Sequence, residues 1–216
     1  MNAITDNLPL FINGILGTLQ ICAVAALGSL VLGALVAICR VSPVPALQRL
    51  GTAWVQFVRN CPLTVVLFFM AFGLPEIGLS ASYFTFGVIG LALYTSAFVC
   101  EAIRAGVNSV PSGQAEAARA VGFSFGPTLG LVVMPQALRY TVPPMANAMI
   151  AMIKNSAIVG AFGVGGELFT VADTLTSSQG LAALPVLTGV VIGYLIIIIP
   201  TGLLFGWIER KGAIAQ

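Results

Sequence analysis

The chain has 216 residues, 58% of them hydrophobic and 7% charged, with no histidine and a mean hydropathy of +1.04. Soluble domains carry charge on about a quarter of their residues, so this composition excludes a water-soluble globular enzyme and places the chain in lipid. A net charge of +2 from nine scattered basic residues excludes a nucleic-acid binder.

Counted in crossings of roughly 20 apolar residues, the chain forms one transmembrane domain over 1–216, an all-α integral membrane bundle of five spans. The first span, 8–39, lies between Asp6 and Arg40 without a charge and holds Gly14, Gly17, Gly28 and Gly33, which let a neighbouring helix come close. It exceeds a secretory h-region of about 7–15 residues and is expected to remain as a span. A polar connection with Pro43, Pro45 and Arg49 then lies along the membrane interface, and the second span, 54–74, ends at Leu74-Pro75. The third, 83–104, exits at Glu101 and Arg104. A polar island, 105–140, follows. Pro143-Pro144 stops any earlier helix and suits the first turn of a new one, so the fourth span is 144–163, with Lys154 its one charge. Gly163, Gly165 and Gly166 loosen the backbone before a polar excursion from Glu167 to Gly180, with Asp173, that forms a short helix outside the membrane. The fifth span, 184–208, is expected to kink at Pro200.

Five spans put the two ends on opposite sides, and sidedness follows the basic residues. Arg40, Arg49, Arg59, Arg104, Arg119, Arg139, Arg210 and Lys211 all fall on one side; the other holds Asp6, Glu76, Glu167 and Asp173 and no Lys or Arg. The N-terminus is therefore expected outside, the C-terminus inside, and the island in the cytoplasm. Cys22, Cys39, Cys61 and Cys100 show no metal-binding or CxxC spacing and read as small buried hydrophobes. No internal repeat is visible, which counts against inverted-repeat carriers.

Within the island, Ser112 after Pro111 suits an N-cap, 114–120 are strong helix formers, and Gly122 marks a left-handed helix end. Ala115, Ala117, Ala118 and Ala120 give this helix a slim surface, and Glu116 is spaced to pair with Arg119. Ser124 and Pro127 open a second short helix that Pro135 breaks, so two helices meet at glycine in a rigid elbow.

Glu116-Ala117-Ala118, Gly122, Val132, Met134 and Pro135 resemble the signature of permease subunits of ATP-binding-cassette (ABC) importers, namely EAA, three residues, Gly, nine residues, Ile, any residue, Leu-Pro. Val and Met replace Ile and Leu, apolar swaps that preserve docking. Arg59-Asn60-Cys61-Pro62-Leu63, Lys154-Asn155-Ser156 and Gly163 to Leu168 look like segments of the polar amino acid branch, with Cys61 in place of its usual Thr. Within that branch the chain is most similar to glutamate permeases of actinobacterial type. The resemblance implies a type I importer fold in a bacterial plasma membrane and a dimer with a second permease, identical or homologous. It further implies an extracytoplasmic solute-binding protein, a polar amino acid as cargo, and an ABC ATPase dimer that receives Glu116, Ala117, Ala118, Arg119, Gly122 and Pro135. The chain has no GxxxxGK[ST] loop, so ATP and Mg belong to that partner and the chain itself needs no cofactor, metal or catalytic residue.

Candidate residues for the substrate path are Lys154, Asn155, Ser156, Glu101, Tyr94, Ser96 and Glu167. A lysine at mid-bilayer costs roughly 3 kcal/mol and needs a compensating role. Either it meets the carboxylate of a passing amino acid, or it pairs with Glu101 or an acid of the second permease, or it snorkels to the interface. Glu101 and Arg104, one turn apart, form a gate or a solvated pair. Tyr94, Thr95 and Ser96 line a cavity or bond back to their own helix. Glu167 touches substrate or delivery protein, or is a solvated acid. An ion-coupled secondary carrier and a non-transporting membrane anchor for an ATPase are the rival readings.

Overall fold

The computed structural model describes residues 2–42, 44–164 and 166–213; Pro43 and Gly165 lie outside the described residues. The described residues form helices and no strand. A short α1 (Asn2–Thr5) leads into α2 (Leu8–Val41), 34 residues whose first turn accommodates a proline because the amide that it lacks has no partner there. Gly33 acts as expected, since a methyl there would overlap Val99 of the next long helix, whereas a methyl at Gly17 would overlap the backbone carbonyl of Gly166 in a turn. In lipid, where apolar burial drives little association, such close approach is what holds helices together.

The expected span over 54–74 is built from parts of two helices. α3 (Pro45–Asn60) is amphipathic and stops at Cys61, whose ψ of 131° is extended. α4 (Leu63–Phe68) then continues through a wide turn, Phe69–Gly73, to Leu74–Glu76, and Pro45–Asn60 meets Leu63–Glu76 at 99°. Pro62 favours the break: its ring disfavours the helical conformation in the residue before it, and Cys61 is extended. After Gly78, held at φ +85° in the turn, Ser82 caps α5 (Tyr83–Asn108) by accepting from the Thr85 amide at 3.1 Å.

The island helix is α6 (Ser112–Ala120), followed by helical turns at Phe125–Pro127 and Thr128–Val133 that pass without interruption into α7 (Met134–Ala161). Two expectations are corrected here. Pro135 does not break the helix, because it falls in the first turn of α7, and Pro143 and Pro144 do not start one, because α7 runs through both. The carbonyls that the missing amides of Pro143 and Pro144 would have met belong to Arg139 and Tyr140, residues at the exposed surface of the helix. Next come α8 (Leu168–Asp173), with a wide turn at Thr174–Ser178, and α9 (Ala183–Ala213), continuous through Pro200.

Among the described residues, Leu8–Val41, Tyr83–Asn108 and Ala183–Lys211 are each long and apolar enough to cross a bilayer, and the bent pair adds a fourth crossing if counted as one. α5 packs between α2 and α7. Thr141 abuts Gly106 and Val159 abuts Gly87, so α7 runs antiparallel to α5. Ile21, Leu91, Val99, Val159, Leu168, Leu175 and Val186 are fully buried where α2, α5, α7, α8 and α9 converge. Leu27, Leu184 and Leu203 stay exposed on the outside of the bundle.

Candidate coupling site and substrate path

Gly122, at φ +93°, ends α6 in a left-handed residue, as its position in the sequence requires. The Phe123 amide donates to the Ala118 carbonyl and the Gly122 amide to the Arg119 carbonyl, both at 3.0 Å, the paired closure of a Schellman cap. That closure fixes the angle between α6 and the helical turns that follow. Ala118 is buried in the elbow, whereas Glu116, Ala117, Arg119 and Ala120 are exposed, and Val121 (76%), Phe125 (79%) and Leu131 (71%) add an apolar rim. The Glu116 to Arg119 pair does not form. The Arg119 Nε donates to the Ala115 carbonyl at 3.4 Å, so the Glu116 carboxylate has no partner among the described residues. Val132 and Met134 fall where the helical turns join α7, and Pro135 in its first turn.

From Phe125, just past the elbow, helical backbone runs unbroken to Ala161 and carries Lys154 at a level between the Gly106 and Gly87 contacts, near the middle of α5. Lys154 is exposed on the protomer surface and has no hydrogen bond or ion pair among the described residues. Asn155 is half-buried beside it. Ser156 turns the other way, fully buried, donating to the Ile153 carbonyl at 2.7 Å.

Glu101 is taken by other partners. Its Oε2 accepts from Arg104 Nε at 3.2 Å and Nη2 at 2.8 Å, and its Oε1 from Arg40 at the end of α2. One partly buried carboxylate between two guanidinium groups therefore joins the C-terminal ends of α2 and α5, and no Glu101 to Lys154 pair forms. Removing it, as in Glu101→Ala, strands two cations facing each other, and the expected result is a lower melting temperature in detergent than wild type, most of it recovered when Arg40→Ala is added. An unchanged melting temperature for the single variant would count against this clasp. Ser96 is buried; its hydroxyl donates to the Leu93 carbonyl and accepts from the Trp54 indole at 3.1 Å, pinning α3 to α5. Thr95 is buried as well, and Tyr94 packs against Phe98 with centroids 5.3 Å apart, Arg59 lying over the same Phe98 ring.

Glu167 is no solvated outer acid. It is completely buried and caps α8, accepting from the Phe169 amide at 2.8 Å, the Thr170 amide at 2.7 Å, the Thr170 hydroxyl at 3.2 Å and the Tyr194 hydroxyl of α9 at 3.1 Å. Gly160 makes room for it, since a methyl there would overlap the carboxylate. Each buried donor left unpaired costs about 1–3 kcal/mol. Glu167→Ala is thus expected to lower the melting temperature in detergent markedly, Glu167→Gln less so, and Gly160→Ala in the same direction as alanine. Wild-type melting of Glu167→Ala would refute this capping role.

Comparison with known proteins decides the family. Residues 29–211 match the family described as Binding-protein-dependent transport system inner membrane component. The chain belongs to this family. It is 40% identical over 206 residues, 95% of the chain and 94% of the relative, to the probable glutamine ABC transporter permease protein GlnM of Bacillus subtilis. It is 36% identical over 211 residues, 92% of each chain, to the glutamate transport system permease protein GluC of Corynebacterium efficiens. The crystal structure of an amino acid ABC transporter with histidines superposes with a TM-score of 0.90 at 30% identity, covering 96% of both chains. The permease fold inferred from the EAA-type island is borne out, as is placement in a bacterial inner membrane. For this permease, sequence reading missed Arg40 and Trp54 as partners of Glu101 and Ser96, because residues about 40 to 60 positions apart give no periodic signal of contact.

Proposed function

We propose that this permease is one half of a pair that imports a polar amino acid, glutamate or its amide, using ATP hydrolysed by a separate ABC ATPase dimer. Five crossings carry the path: α2, the bent α3 and α4, α5, α7 and α9, with the N-terminus outside and the elbow in the cytoplasm. A second permease, identical or homologous, completes the path, and an extracytoplasmic solute-binding protein delivers cargo. The reading rests above all on one observation: helical backbone that begins at Phe125, just past the capped elbow at Gly122, runs unbroken to Lys154. A hydrogen-bonded rod moves as a unit, so displacement of α6 by closure of the ATPase, passed on through the capped turn at 121–124, is carried along this helix to mid-membrane. Glu116, Ala117, Arg119 and Ala120 form the exposed face that enters the ATPase, with Ala118 and Gly122 holding its angle.

At the other end of the rod, Lys154 faces out of the protomer toward the second permease, where its ammonium attracts the carboxylate of an amino acid and Asn155 offers a further polar contact. The names of the relatives, glutamine and glutamate permeases, favour the same cargo class. Co-reconstitution with the ATPase and binding protein tests it: ATP-dependent uptake of labelled glutamate or glutamine, inhibited by excess of either, is expected. Uptake driven by an ion gradient without ATP would replace this reading with a secondary carrier, and ATPase activity with no uptake would reduce the chain to an anchor.

A further inference from the structure

Two neighbouring features are unused by this account. The first is a cleft at the C-terminal ends of α2 and α5, roofed by α3. One lobe, of 660 Å³, is lined by Arg40, Arg49, Gln56, Arg104 and Asn108 among others, and a second, of 440 Å³, shares Arg40, Gln56 and Arg104 and adds Arg59 and Asn60. Four guanidinium groups converge there against the single carboxylate of Glu101, so the cleft holds uncompensated positive charge. The second feature is an apolar groove of 300 Å³ lined by Ala34, Ala37, Ile38, Ile103, Met134 and Leu138 among others. Val41 and Val107 line both, so the basic cleft and the apolar groove adjoin at these side chains. From Val41 the groove follows α2 back to Ala34, seven residues or about 10 Å toward the middle of the helix.

An anionic head and an adjoining hydrocarbon tail are the chemistry that fits a basic cleft beside an apolar groove at a helix end. We propose that this is a seat for one anionic phospholipid of the cytoplasmic leaflet. Its phosphate is held by Arg49 and Arg104, and an acyl chain runs past Val41 and Val107 toward Ala34. The placement rests on the membrane orientation proposed above. Arg40 and Arg104 share Glu101, whereas Arg49 and Arg59 have no carboxylate among the described residues and supply the surplus charge. The groove wall includes Met134 and Leu138 at the start of α7, so a seated lipid touches the rod that the elbow moves, and its occupancy would be felt in transport.

The test is native mass spectrometry of the full transporter complex in phosphatidylcholine nanodiscs into which phosphatidylglycerol is titrated. One phosphatidylglycerol per permease is expected to survive release into the gas phase. Arg49→Gln, at an exposed position, is expected to weaken its retention about fivefold. Ala34→Phe, which fills the groove, is expected to weaken it comparably while leaving the charge intact. Equal retention by wild type and both variants would overturn the proposal. So would displacement of the lipid by inorganic phosphate alone, which would make the cleft a simple anion site, or by glutamate, which would make it part of the substrate path. Uptake measured in parallel separates this idea from the import reading: loss of lipid with uptake retained leaves import standing, and absence of uptake with lipid retained leaves the seat standing.

Discussion

Gly122→Pro abolishes ATP-driven uptake while the protein still inserts and is recovered from membranes at wild-type amounts: that is the expected result if the elbow delivers the driving force. Proline fixes φ near about −65°, whereas Gly122 sits at +93°, and proline also removes the amide that donates to Arg119. The angle between α6 and the rod is lost, yet nothing packs within van der Waals reach of a Cβ at this position, so the bundle is spared. Glu116→Lys is expected to act as strongly by another route. Its carboxylate is exposed and unpartnered among the described residues, so reversing its charge changes the docking face without disturbing the fold. Uptake in proteoliposomes with the ATPase present checks both. Normal uptake by either variant would remove the coupling role from this helix.

Lys154→Met is expected to lower transport of acidic amino acids about tenfold to a hundredfold, the range of one hydrogen bond to a charged group in a dry site. Methionine keeps the length and apolar stem of lysine, and the side chain is exposed on the protomer, so packing changes little. Coupling of ATP hydrolysis to the elbow is expected to persist, which distinguishes this variant from Gly122→Pro. The checking measurement is the concentration dependence of glutamate uptake alongside ATPase rate in one preparation. An unchanged half-saturating concentration and rate for uptake would show that Lys154 meets no substrate.

The legible parts of the sequence were those fixed by local chemistry. The left-handed end at Gly122 follows from glycine's freedom at positive φ, and the close helix crossing at Gly33 from the absence of a side chain. Apolar length found the long α2, α5 and α9. What stayed hidden depended on position in three dimensions. Span counting treats 54–74 as one hydrophobic run, but Pro62 acts on the conformation of Cys61 and turns the chain by 99°. Pro143 and Pro144 read as a helix start, yet the helix runs through both, with the turn that precedes them at its exposed surface. Glu167, in a glycine-rich polar stretch, reads as solvated; its burial requires Gly160 and Tyr194, seven and 27 residues away in sequence. Lys154 and Ser156 share a tripeptide, but the helical rotation between them sends one outward and the other into the core.

The central claim is that α6 is the point where the ATPase pushes. Site-directed cross-linking from Ala117→Cys to a cysteine scan of the ATPase surface, in membranes with and without ATP, tests it most directly. The account predicts cross-links to one groove on the ATPase in both states, at positions that shift when ATP binds, and uptake that stops when the link is locked. Cross-links to the extracytoplasmic binding protein, or labelling of this cysteine only by lipid-borne reagents, would contradict it.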